Sequence, residues 1–129
     1  MDRRSAVAIA LGGIVGAAAR WSIVEVLDGS DAQQGHWPWG VFVANLLGCA
    51  LLGVAVSALR GRDASTVLGV TVGFCGALTT FSAFALDLAL FLRGDHHATL
   101  VGYLLLSFVL GAIAYVAGRS MGRRLGNPA

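Results

Sequence analysis

Lysine is absent from this chain, and charge of either sign is scarce. All nine basic residues are arginine, seven residues are acidic, and charged side chains make up only 12% of the 129 residues. Soluble domains carry roughly a quarter. Cysteine and proline occur twice each, which excludes a disulfide scaffold and a proline-rich linker. Cys49 and Cys75 lie in apolar runs without metal-ligand spacing, so they read as buried free thiols. With a formal charge of +2 and no basic cluster away from the ends, nucleic-acid binding has no support.

Apolar residues fill that space. They form 57% of the sequence, and the mean hydropathy is +0.76. The composition is that of an all-α integral membrane protein, and the length allows one domain, residues 1–129. Apolar segments run at Ser5–Leu27, Trp37–Leu59, Ser65–Leu92 and Ala98–Met121. Each exceeds the roughly 20 residues that cross a hydrocarbon core of ~30 Å. Met1 to Ala19 imitates a secretory signal, with Arg3, Arg4 and a small-residue end. The apolar pattern resumes after Arg20, so a spanning segment is expected instead.

The connections are polar: Asp28–His36, Arg60–Ala64 and Arg93–His97. Trp37, Pro38 and Trp39 form an expected interfacial anchor, with the proline in the first helical turn. Glycine is abundant, at 18 residues. The pairs Gly12/Gly16, Gly69/Gly73 and Gly118/Gly122 have the spacing that lets helices approach closely in lipid.

With four spans, both termini share a side. That side carries Arg3, Arg4, Arg60, Arg62, Arg119, Arg123 and Arg124. The other carries Arg93 with Asp28, Asp31 and Asp95. The bias places the termini in the cytoplasm.

The third segment is the longest and holds Gly73-Phe-Cys-Gly-Ala-Leu-Thr-Thr-Phe-Ser-Ala-Phe84. Glycines permit a helix to break, and Thr79 and Thr80 hydroxyls can repair the backbone groups it frees. In lipid such a break survives only where protein or water satisfies it. A broken third helix building an ion or substrate site is therefore expected. Carbonyls freed near Gly76 and Thr79 suit a cation: two per chain, four in a two-fold dimer, enough for a Na⁺-like ion.

Several polar residues lie at membrane depth. Arg20 either snorkels or pairs locally, or faces a vestibule where it draws anions. Asn45 is either interhelical glue or a site amide with two donors and an acceptor. Phe81 and Phe84, at i,i+3, either pack in the core or turn positive ring edges to a small anion. Tyr103 and Ser107, at i,i+4, extend a polar line. Asp87 is the one acid in the middle of a span, and a pairing with Arg20 is expected. With no central carboxylate besides Asp87, the Asn, Thr and Ser residues suit an anion better than a cation.

Together these residues resemble the Fluc (CrcB) family of bacterial fluoride channels over nearly the whole chain. Gly12-Gly13-x-x-Gly16-Ala17-x-x-Arg20 is similar to the family's first-helix pattern. Trp39-Gly40-x-x-x-x-Asn45-x-x-Gly48 is similar to its second. Gly73-Phe74-x-Gly76-x-x-Thr79-Thr80-Phe81-Ser82-x-Phe84 resembles the third-helix motif, the most specific of them. Tyr103 and Ser107 fit the fourth.

The resemblance implies a channel and not an enzyme: an antiparallel dual-topology dimer with two pores in the bacterial cell membrane, surrounded by lipid. It implies passive export of cytoplasmic fluoride that enters as HF. Asn45, Phe81 and Phe84 would contact fluoride, with Thr80, Tyr103 and Ser107 on the polar path. The carbonyls of Gly76 and Thr79 from both subunits would hold a structural, non-transported Na⁺. Arg20 and Asp87 would serve as vestibule or structural charges.

Three departures from the pattern stand out: Val41 where a threonine is usual, Asp87 where a glutamate is usual, and Gly111 where a second serine could follow Ser107. The arginine bias also sits poorly with two-way insertion, so pairing with a homologous subunit of opposite bias stays open beside the homodimer. A small dual-topology multidrug exporter and a non-conducting partner subunit are the rival readings. The exporter relies on a first-helix acid deep in the membrane, whereas Glu25 lies at that helix's end.

Overall fold

A computed structural model describes residues 2–29 and 36–126. The interior of the first connection, with Asp31 and Gly35, lies outside the described residues. Among the described residues all regular structure is helical, and four helical stretches are long and apolar enough to cross a membrane.

Helix α1 covers Arg3–Leu27, starting two residues before the apolar segment. Asp2 explains the start, because its Oδ1 accepts the Ser5 N–H at 3.0 Å and satisfies one orphan donor of the first turn. Helix α2 covers Trp39–Ala58. Pro38 is its N-cap residue, so the expected place in the first turn is corrected by one position, and Trp37 precedes the helix. The Asp28 carboxylate fixes this start. Both of its oxygens lie 3.0 Å from the Gly40 N–H, tying the end of α1 to the beginning of α2.

The third span, Ala64–Arg93, is not one regular helix. Helix α3 (Ala64–Leu68) leads into a π-helical segment, Gly69–Cys75, then into the short α4 (Gly76–Leu78). Thr79 and Thr80 are extended, with φ/ψ of −81/150° and −144/117°. Helix α5 then runs over Phe81–Arg93. Helix α6, His97–Gly126, continues beyond Met121. Arg123 and Arg124 in its last turn complement the helix dipole there.

Close helix contacts use the spaced glycines. A Cβ on Gly12 or Gly16 would strike the carbonyl oxygen of Gly69 or Phe74, so α1 rides directly on the π-helical backbone. Likewise a Cβ on Gly118 or Gly122 would strike the Ala50 or Val54 carbonyl oxygen, which sets α6 against α2. In lipid this packing replaces the hydrophobic drive that is missing between helices. Phe42, Phe84, Phe91 and the fully buried Tyr103 form the core between α2, α5 and α6.

Candidate functional site: a groove beside two extended threonines

The site is organised around the Thr79–Thr80 pair. Asn45, from the middle of α2, accepts the Thr80 N–H on Oδ1 at 2.7 Å and donates Nδ2 to the Thr80 carbonyl at 3.3 Å. One turn further on, a Cβ at Gly48 would collide with the Thr79 methyl, so glycine lets α2 come close enough for this exchange. Thr79 sends both its N–H and its hydroxyl to the Cys75 carbonyl, each at 3.0 Å. Thr80 Oγ1 caps α5 by accepting the Ala83 N–H at 3.3 Å, and it lies 3.2 Å from Ser82 Oγ.

These bonds have a consequence for two carbonyls. In a continuous helix Gly76 would accept from Thr80, and Thr79 from Ala83. Here the Thr80 N–H goes to Asn45 and the Ala83 N–H to the Thr80 side chain. The Gly76 and Thr79 carbonyls are thus left without their regular donors. Gly76 is exposed on the single chain and Thr79 is half-buried.

A groove of about 580 Å³ opens on this segment. Asn45, Thr79, Thr80, Phe81, Phe84 and Ser107 all line it, and none of its lining residues carries a charged side chain. The Asn45 amide spends one N–H on Thr80 and keeps a second. Ser107 Oγ is buried without a hydrogen-bond partner among the described residues. Phe84 is buried whereas Phe81 is 76% exposed, with ring centroids 6.1 Å apart. Gly111 lines the same groove, and a Cβ there would meet Cys49 Sγ at 3.6 Å.

Tyr103 stands apart from the groove lining. Its ring packs 5.1 Å from Phe84, and its hydroxyl donates to Asp87 Oδ2 at 3.1 Å. The expected Arg20–Asp87 pair is not formed. Arg20 instead lines a second cavity of about 500 Å³ with Thr80, Ser82 and Val41, on the α1 side. Among the described residues, the one oppositely charged pair within 4.0 Å is His97–Asp95, at 3.7 Å. Arg20 and Asp87 therefore serve different places.

Further residues line the groove beyond those the sequence singles out for it, Phe108 and Cys49 among them. Phe108 closes one wall, edge-on to Phe84 with centroids 6.1 Å apart. Cys49, expected only as a core thiol, lies four residues after Asn45 and lines the groove with it. That spacing shares one helix face, so the sequence does carry a signal for it.

A family model for "CrcB-like protein, Camphor Resistance (CrcB)" matches residues 7–119. The chain belongs to the CrcB-like family. Among CrcB-like relatives, the fluoride-specific ion channel FluC of Hahella chejuensis is 39% identical over 119 residues, covering 89% of this chain and 91% of that protein. The protein of the same name from Paracoccus denitrificans is 40% identical over 119 residues, covering 91% and 93%. FluC 1 of Symbiobacterium thermophilum is 40% identical over 122 residues, covering 90% and 95%. The CrcB-like match reaches all four membrane-length helical stretches, so it contains both the Asn45–Thr80 exchange and the groove.

Proposed function

We propose that this chain is a multi-pass bacterial membrane protein that forms a fluoride-specific channel and exports fluoride passively. The observation that carries this reading is the uncharged groove in which Asn45 is locked onto Thr80 beside Phe81 and Phe84, in a member of the CrcB-like family. Fluoride is small and strongly hydrated, so a path must replace its water with donors. The spare Asn45 N–H, the Ser107 hydroxyl and the positive edges of the two phenylalanines are such groups. None carries a full positive charge, so the ion is passed on rather than trapped.

The functional unit is an antiparallel dimer with two pores. Supporting this, Phe81 is 76% exposed and Gly76 is exposed on the single chain, and a second copy would cover both. The third helix is read as broken at Thr79–Thr80. The Gly76 and Thr79 carbonyls, short of their regular donors, fit a cation site, and two subunits would bring four oxygens to one Na⁺. When bound, that ion supplies fixed positive charge at the dimer centre.

Arginine placement favours a second reading of the partner. Seven arginines on the terminal side against Arg93 on the other favour insertion in one orientation and pairing with a homologous subunit of opposite bias. Labelling a C-terminal tag from each side of the membrane separates the cases. Equal labelling supports the homodimer; labelling from the cytoplasm alone supports the paired subunit.

Efflux from liposomes containing the purified protein tests the channel. Fluoride efflux with negligible chloride efflux is expected. Absence of fluoride flux, with and without a paired subunit, overturns the proposal.

A further inference from the structure

Cys49 and Gly111 lie opposite each other in the groove. A Cβ on Gly111 would sit 3.6 Å from Cys49 Sγ, an ordinary contact, so the thiol lies where a side chain at 111 would begin. Both residues line the same cavity as Asn45 and Ser107. One turn further along, a Cβ on Gly53 would strike the Tyr115 carbonyl oxygen. The offset between the two helices is the same in both contacts, so α2 and α6 run in one direction and keep step. One turn back, that offset sets Asn45 level with Ser107. Two rungs therefore follow each other along one groove, Asn45 with Ser107 and then Cys49 with Gly111.

The first rung has donors on both walls. Asn45 keeps one amide N–H after its bond to Thr80, and Ser107 Oγ is buried without a partner among the described residues. A buried hydroxyl left unpaired marks a place where a ligand or water belongs. On the second rung α6 offers only a glycine, so the donor at that level comes from α2. A thiol S–H is a weak donor and carries no charge. Thr71 also lines the groove, but its hydroxyl proton is committed to the Val67 carbonyl at 2.7 Å. Cys75, the other thiol of the lining, is buried, whereas Cys49 is half-buried and the more open of the two.

We propose that the Cys49 thiol is an anion-contacting donor of the fluoride path, taking the ion over from Asn45 and Ser107 at the level where α6 has no side chain. This role rests on the channel reading and adds a residue to the same groove. It assigns no inner or outer end, so it holds for either orientation of the chain in an antiparallel pair. A weak neutral donor lets the ion leave the stronger amide and hydroxyl without holding it in turn. Packing alone, with the thiol turned to the α2 carbonyl one turn back, is the competing arrangement.

Fluoride efflux from liposomes containing designed variants separates a donor from packing. Cys49→Ala removes the S–H and should slow efflux roughly three- to tenfold, the worth of one weak hydrogen bond to an ion, with dimer elution unchanged. Cys49→Ala/Gly111→Ser returns a hydroxyl to the same level from the opposite wall and should recover most of the lost rate. Cys49→Ala/Gly111→Ala returns volume without a donor and should stay slow. Cys49→Ser keeps a donor in place and should also exceed Cys49→Ala severalfold, which preserves the test if the double variants fold poorly. Wild-type efflux in Cys49→Ala overturns the inference while the channel reading stands. Cys49→Ser no faster than Cys49→Ala does the same, as does recovery by Gly111→Ala as complete as that by Gly111→Ser. Wild-type protein that passes no fluoride removes both.

Discussion

Asn45 and Thr80 exchange two hydrogen bonds across 35 residues of sequence, the amide accepting the Thr80 N–H at 2.7 Å and donating to its carbonyl at 3.3 Å. The amide thereby stands in for helical backbone where the third span is extended. One side chain satisfies two groups that lipid cannot.

Replacing Asn45 with alanine strands both Thr80 groups. Each costs about 1–3 kcal/mol when buried without a partner, so thermal unfolding in detergent should move to clearly lower temperature and fluoride efflux should vanish. Asn45→Asp preserves the acceptor for the Thr80 N–H but loses the donor and adds negative charge to the groove. It should remain better folded than the alanine variant and still fail to conduct. An alanine variant as stable as wild type would refute the structural role.

Gly12 and Gly13 are neighbours with opposite expectations. A Cβ on Gly12 strikes the Gly69 carbonyl oxygen, whereas one on Gly13 comes no closer than 4.0 Å, to the Gly73 oxygen. Gly12→Ala should cost about 1–3 kcal/mol through overpacking. Gly13→Ala should be neutral or stabilise by up to about 1 kcal/mol through helix propensity. Melting curves of the two variants provide the comparison.

Tyr103 and Asp87 form a coupled pair, linked by a 3.1 Å hydrogen bond. Tyr103→Phe leaves the carboxylate without its donor and should destabilise the protein. Removing both polar groups, in Asp87→Leu/Tyr103→Phe, should recover part of that loss, because an unmade buried bond costs more than an absent one. A double-mutant cycle on unfolding reads the coupling directly, and additive effects would contradict it.

Asp63 caps the third span. Its carboxylate accepts the Thr66 N–H at 2.9 Å and the Thr66 hydroxyl at 2.8 Å. The bond from the Thr66 backbone, then that from its side chain, hold the carboxyl below its ordinary value of 3.8. A depressed folded value means the stabilisation is complete above the unfolded value and is lost as pH falls through the folded one. Acid unfolding below about pH 4 should therefore lose this contribution, and Asp63→Ala should flatten that part of the pH profile.

Four membrane-spanning helices, their approximate limits and the glycines between them are legible in the sequence, because apolar length and small-residue spacing act locally along a chain. Helix ends differ by a few residues where a polar contact intervenes, as Asp28 does in reaching the Gly40 N–H and leaving Pro38 outside α2. The importance of Gly73–Phe84 is also readable, since glycines and hydroxyls in an apolar run signal an irregular backbone. Which residue satisfies that backbone is not. Asn45 has equal claims as helix glue and as a site amide, and only its distance to Thr80 shows how it binds within the chain.

The same division holds for charge. Sequence by itself determined that Arg20 and Asp87 lie at membrane depth, where an unattended charge is expensive, and so suggested that they pair. Tertiary structure decided otherwise, placing Arg20 in the cavity beside Thr80 and Asp87 under the Tyr103 hydroxyl. Periodicity reports which residues share a helix face, but the partners of those faces depend on how α1, α2 and α6 rotate around the third span. That rotation is set by close contacts such as Gly12 on Gly69 and Gly48 on Thr79, which exist only once the helices have met.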